Sequence, residues 1–178
     1  MIKRTQKPKI HYVDNKKLLE AMRDYKDKLE KDPNTRVSNY IGKCIMDIAT
    51  ELATLPKFSG YSFKDEMISD GVENSIRYIY NFDPYKYEKP FAYFTKIIYY
   101  AFLRRIESEK TELYTKYKIT ANHGIFNDVI VSDDEGTASS VELYDNIADF
   151  IQTFEKKKAE KNANKPKKVK GVEQFIDD

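Results

Sequence analysis

The chain contains no tryptophan, one cysteine (Cys44) and two histidines (His11 and His123) in 178 residues. A single cysteine excludes a disulfide framework and any multi-cysteine zinc or iron–sulfur site, and points to a reducing compartment. The histidines are far apart in sequence, without ligand spacing, and both read as surface residues. No metal and no cofactor is expected. Asp133-Asp134-Glu135 has no partner motif and reads as a solvated loop. Six scattered glycines exclude a phosphate-cradling loop. No apolar run approaches the roughly 18 residues of a membrane span, and no apolar segment follows the basic N-terminus as a signal peptide requires. No nucleophile, base and orienting group stand together, so an enzyme is not expected.

What is present is charge, in blocks. The net charge of +2 conceals a strong alternation. Residues 1–17 carry +5, residues 18–76 carry −3 and residues 77–118 carry +4. Residues 127–155 then carry −8, residues 156–170 carry +7, and the last eight carry −3. Such blocks are usually solvated arms with interaction roles. Aromatic residues are uneven too. Eleven of the 24 Tyr and Phe lie between Tyr78 and Phe102, within the basic block. Rings that stack on bases, beside cations that pair with phosphates, are what a single-strand binding surface needs.

Periodicity predicts an all-α protein: a compact helical domain over residues 15–118, with a flexible C-terminal tail. A basic arm (1–14) precedes it. Asn15 is expected to cap a first helix with Leu18, Met22, Tyr25 and Leu29 on one stripe. A second carries Val37, Ile41, Cys44, Ile48, Leu52 and Leu55 and stops at Pro56, which makes Cys44 a core residue. A third runs from about Phe63 to Tyr80 with Ile68, Val72, Ile76 and Ile79 inward. A fourth starts near Pro90 and reaches about Lys116. Residues 119–155 read as an acidic loop and one short helix with Val141, Tyr144, Ile147, Ile151 and Phe154. Only residues 129–131 alternate like a strand. Residues 156–170, rich in lysine with nothing to bury, read as an extended linker. Residues 171–178 end in an apolar-acidic motif shaped like a plug for a partner's pocket.

The fourth helix carries two faces. At 100° per residue, Tyr93, Lys96, Tyr100 and Arg104 share a stripe of alternating rings and cations. Phe91, Phe94, Ile98, Ala101 and Phe102 form an apolar stripe that reads as the core face. Arg105 sits inside the apolar stripe, which the wheel does not explain.

The run Glu66-Met67-Ile68-Ser69-Asp70-Gly71, then Phe82-Asp83 and Phe91-Ala92-Tyr93-Phe94-Thr95, resembles region 2 of bacterial sigma factors. More closely, the chain resembles the late-transcription sigma factors of T-even-type bacteriophages. That likeness also takes in residues 9–19, Phe58-Ser59-Gly60-Tyr61, Arg104-Arg105-Ile106 and the terminal motif. The resemblance implies that Glu66, Asp70, Glu73, Asn74 and Arg77 dock on the clamp helices of the largest subunit of host core RNA polymerase. It implies that Tyr93 stacks on a flipped base of promoter DNA, and that Tyr100 stands at a −10-reading position. Lys96 and Ile97 fall where primary sigma factors carry a tryptophan pair. Tyr99, Tyr100 and Phe94 are the candidates to replace that wedge, unless an A·T-rich promoter needs less help. Lys96, Arg104 and Arg105 would contact phosphates. Val172, Phe175 and Ile176 would enter a pocket of the phage sliding clamp, and a separate phage co-activator belongs to the same implied assembly, in the cytoplasm of an infected bacterium.

No helix-turn-helix for a −35 element fits after residue 118. Recognition of a short A·T-rich −10 element alone is therefore expected, with an activator supplying the rest. Two rivals remain open: a polymerase-binding co-activator or inhibitor without base contacts, and a free-standing DNA-binding repressor.

Overall fold

The computed structural model of the chain describes residues 12–123 and 137–164, with side chains in the second stretch from Asp145 onward. The terminal motif with Val172, Phe175 and Ile176, the strand-like 129–131, Asp133-Asp134-Glu135 and His11 lie outside the described residues, as do the side chains of Val141 and Tyr144. The fold is all-helical. Its elements are α1 (Asn15–Lys31), α2 (Asn39–Ala53), α3 (Lys64–Arg77), a 3-10 turn (Ile79–Asn81), α4 (Pro90–Asn122) and α5 (Thr137–Ala163). Among the described residues no strand occurs, and no helix is long and apolar enough to cross a membrane. The chain divides into two compact units, Met1–Ser108 and Glu109–Asp178. The division falls inside α4, earlier than the boundary at residue 118 that periodicity suggests.

In the first unit, α1 buries Leu18, Met22 and Tyr25 as its stripe requires. Its cap is Asp14, not Asn15: the Asp14 carboxylate accepts from the Lys16 N–H at 2.9 Å and the Lys17 N–H at 3.4 Å. Asn15 is instead a bracket to another helix. Its Nδ2 donates to the Glu88 carbonyl at 3.0 Å, and its Oδ1 accepts from the Phe91 N–H at 3.2 Å. That satisfies a first-turn N–H of α4, which Pro90 opens and which has no partner within its own helix.

Ser38 caps α2, which buries Ile41, Cys44, Ile45, Ile48, Ala49 and Ala53. Leu55, expected inward, is exposed. The helix stops at Ala53, because Pro56 disfavours helical backbone in the residue before it. Phe58 in the following loop is fully buried and packs edge-on against Phe102, centroids 5.2 Å apart.

The inward face of α3 departs from the expected stripe. Met67, Gly71 and Ser75 are buried, whereas Ile68 and Val72 are half-buried and Ile76 is 43% exposed. The reason is a close helix crossing. A Cβ on Gly71 would lie 2.9 Å from Ile98 Cγ2 and 3.1 Å from the Phe102 ring, so only small residues fit. Ser75 tolerates burial by donating its hydroxyl to the Gly71 carbonyl at 2.8 Å. Ile79 is buried in the 3-10 turn rather than in a continuing α3.

In the second unit, the last turns of α4 run past Lys116 to Asn122 and pair with α5. Tyr114 stacks on Phe154 at 4.6 Å, and Tyr117 meets Phe150 edge-on at 5.5 Å. The Tyr114 hydroxyl and Lys118 Nζ both bond Glu155 Oε1, at 2.8 and 2.7 Å. The pairing is antiparallel, since the higher number on one helix meets the lower on the other. α5 continues through 156–163, which corrects the expectation of an extended linker there. Lys, Glu and Ala are strong helix formers, so a helix anchored at Phe150, Phe154 and Glu155 propagates into them.

Candidate nucleic-acid interface

The interface candidate is built on the turn after the 3-10 element, and that turn is pinned to α1. Asp83 accepts from the Lys26 ammonium at 2.9 Å and from the Tyr85 N–H at 3.1 Å, and its carbonyl takes the Lys86 and Tyr87 N–H groups. The hydrogen bond from Lys26 is the main reason the Asp83 carboxyl sits below its ordinary pKa. Arg23 donates to the Pro84 carbonyl at 3.4 Å, and its guanidinium lies over the Tyr85 ring. The Tyr85 hydroxyl bonds Asp27, which raises the Tyr85 pKa.

Held this way, the turn faces the start of α4 across an open cavity of about 660 Å³. Phe82, Tyr85, Tyr87 and Tyr93 supply its rings, and Lys86 and Lys89 its cations. Tyr93 is half-buried. Its ring packs on Phe82 with centroids 5.0 Å apart, and its hydroxyl donates to the Tyr78 carbonyl at 2.7 Å. Burial raises its pKa, so the group is a neutral phenol at physiological pH. The ring is braced by Phe82, and Tyr93 lines the cavity. Glu88 and Asn81 also line it, so the arrangement can receive a flat, hydrogen-bonding ligand with negative charge near Lys86 and Lys89.

Beyond the cavity, the predicted stripe continues along α4 with Lys96 exposed and Tyr100 50% exposed. Two assignments change. Phe94 is fully buried in the core and cannot touch DNA; it belongs to the apolar face that the wheel also gave it. Tyr99 is turned toward the 58–61 loop: its ring meets Phe58 at 5.8 Å, Lys57 Nζ lies 4.5 Å above it, and Lys57 bonds its hydroxyl.

The arginines bring the two predicted sites into contact. Arg104 Nη2 donates to Asn74 Oδ1 at 2.9 Å, and Arg105 Nη1 pairs with Asp70 Oδ2 at 3.4 Å. Arg105 therefore sits within the apolar stripe because α3 presents a carboxylate there. Asp70 and Asn74, expected to face polymerase, are partly engaged within the chain. Glu73 and Arg77 pair with each other at 2.6 Å on an exposed face, and Glu66 is exposed. Tyr85, Lys86, Tyr87 and Lys89 line the cavity and join the candidate set; the helical wheel omits them because they lie on a turn. The density of Tyr and Lys between Pro84 and Pro90 was their signal.

No protein-family model matches this chain, and no curated protein matches it. Among the described residues, no cluster of His, Cys, Asp and Glu could hold a metal ion. Any functional reading therefore rests on the geometry above and on the sequence resemblance.

Proposed function

We propose that this chain is a region-2-type sigma factor of a bacteriophage. It joins host core RNA polymerase through the exposed face of α3, opens a short A·T-rich −10 element, and couples to a sliding clamp through Val172, Phe175 and Ile176. The observation that carries the reading is the cavity at Tyr93, where rings and lysines converge beside the exposed Lys96 and Tyr100. Unpairing a base costs a few kcal/mol, and a ring that stacks on it returns about 1–3 kcal/mol. Lys86, Lys89 and Lys96 supply the phosphate contacts, which position the strand without reading it. Arg104 and Arg105, the other expected phosphate contacts, are braced by Asn74 and Asp70 on α3.

Core polymerase supplemented with the purified chain should initiate on a promoter carrying only a TATA-like −10 element. Tyr93→Ala should reduce open-complex formation about tenfold or more, the worth of one lost base stack. Unchanged opening by Tyr93→Ala and Tyr100→Ala would sink the base-contact reading and favour a co-activator or inhibitor that binds polymerase alone. Tight duplex binding without polymerase would favour a repressor. Removing residues 172–178 should spare basal initiation and abolish stimulation by the clamp.

A further inference from the structure

The second unit carries a face that the proposed function does not use. An open groove of about 260 Å³ runs along the hairpin of α4 and α5, between Lys118, Ala121 and Asn122 on one helix and Ile147, Ile151 and Glu155 on the other. Its lining is largely apolar. Ile147 is 6% exposed, Ile151 is half-buried, and Ala148 is exposed at the edge. Ile119, next to Lys118 in the chain, is 53% exposed. The ions of the groove already answer each other, since Lys118 and Glu155 pair at 2.7 Å. The volume lies below the roughly 300–1,000 Å³ of small-molecule sites, so the groove suits apolar side chains of a macromolecule.

Charge says which macromolecule. From Asp145 to Glu155, α5 carries three acids and no Lys or Arg; from Lys156 to Ala163 it carries four lysines and one Glu. Asp145, Asp149, Lys156, Lys157 and Lys158 are all exposed. Paired in parallel with a copy of itself, such a helix sets lysine against lysine and acid against acid. Turned end for end, it is its own complement. With a twofold axis level with Thr153, equal counts from the axis bring Asp149 level with Lys157 of the second copy, and Asp145 level with Lys161. Each match occurs twice, because a twofold interface repeats every contact. The two Ile151 side chains then lie about 6 Å apart along the helix direction, at 1.5 Å rise per residue. The chain's own terminal segment is a poorer occupant. Folding back, it would carry the lysines of 165–170 past those of α5, and Asp177 and Asp178 toward Asp145 and Asp149, like against like.

We propose that α5 and the adjoining end of α4 form a self-association surface, through which two copies of this chain pair antiparallel about a twofold axis. The apolar groove supplies the contact area, and the reversed charges fix the orientation. Exposed ion pairs are individually weak, so the dimer forms at high concentration and separates on dilution. The surface includes no residue of the Tyr93 cavity or of the exposed α3 face, and it stands or falls independently of the sigma reading.

Sedimentation velocity of the full-length chain over a wide concentration range reads the pairing directly. At about 0.05 M salt the average mass should rise from one chain to two, and at about 0.5 M the apparent Kd should weaken about tenfold as the charges are screened. Ala148→Glu, which sets a charge at the edge of the groove and leaves Phe150 and Phe154 in place, should weaken pairing about tenfold or more. A charge swap is the sharpest arm. K156E/K157E/K158E alone and D145K/D149K alone should each remain monomeric, and an equimolar mixture of the two should pair. Wild-type helicity by circular dichroism certifies these variants; should one lose it, the salt series and Ala148→Glu carry the test. A wild-type chain that stays monomeric at every concentration overturns the proposal. If removing residues 172–178 then permits pairing, the occupant of the groove in the intact chain is that segment, and the proposal is overturned as well. Pairing that neither salt nor Ala148→Glu weakens, or a mixture that stays monomeric, would place the interface elsewhere and overturn this surface.

Discussion

The two compact units are held by different means. In the first, Phe58, Phe94, Ile98 and Phe102 are fully buried and interlock with Ile41, Ile45 and Met67. In the second, Ile147 is the buried hydrophobic residue among those described, and the pairing relies on half-exposed rings and on Glu155. One helix, α4, serves both. Its first part is clamped by a dry core and its last part by surface contacts. A close-packed core fixes positions to within fractions of an ångström because side chains interlock without voids. Surface ring stacks and ion pairs are individually worth about 1 kcal/mol or less. The first unit can therefore hold a shaped cavity, while the second is conditional and responds to solution conditions.

The comparison can be broken most forcefully at Phe102. Phe102→Ala should cost the first unit about 4 kcal/mol, read as a lower urea midpoint by circular dichroism. A loss below about 1 kcal/mol would mean that the buried cluster is not the keystone. Gly71→Val should cost about 2 kcal/mol through overpacking against Ile98 and Phe102. Unchanged stability there would refute the close crossing of α3 and α4. In the second unit, Phe154→Ala removes the stack on Tyr114 and should cost about 1 kcal/mol. Faster amide exchange should then appear over residues 109–122, with slow exchange kept at Ile98 and Phe102. Exchange that accelerated equally in both units would erase the distinction.

The smallest effect is the pH dependence of the second unit. Hydrogen bonds from Lys118 and then Tyr114 lower the Glu155 pKa. A carboxyl whose folded pKa is depressed stabilises the fold fully above its unfolded value, near 4.3. That contribution fades as pH falls through the lower folded value. The same bond raises the pKa of Lys118, so its share is present below the ordinary lysine value and is lost as pH climbs through the raised one. Acid should loosen the helix pair before the core, and Glu155→Gln should flatten the acid limb of an exchange profile over residues 109–122. A profile unaltered by Glu155→Gln would remove Glu155 from the account.

Much of the fold can be read from the chain, because apolar spacing is a local signal. The stripe Leu18, Met22 and Tyr25 is buried as its spacing requires, and so are Cys44, Phe94, Ile98 and Phe102. Spacing misleads where a neighbouring helix decides. Ile76 is more apolar than Ser75, yet Ser75 is the buried one, because it lies one turn on from Gly71, the face that meets Ile98 and Phe102 of α4. Asn15 looks like a cap for its own helix and instead brackets Phe91, 76 residues away. The helix through 156–163 is masked by its lysines, whose charge suggests an extended tether although their helical propensity is high.

The candidate interface divides in the same way. Tyr93, Lys96, Tyr100 and Arg104 can be placed on one stripe by counting residues, and the basic, aromatic character of the stretch follows from composition. Sequence alone thus determined the helices, most of their buried faces and the chemistry of the α4 surface, since each depends on residues a few positions apart. Only the tertiary structure could decide that Tyr99 turns to Phe58 and Lys57, that Asp70 and Asn74 hold Arg105 and Arg104, and that the 83–87 turn shares a cavity with Tyr93. Those outcomes depend on which helix lies against which, and packing distance is not written in any single helical period.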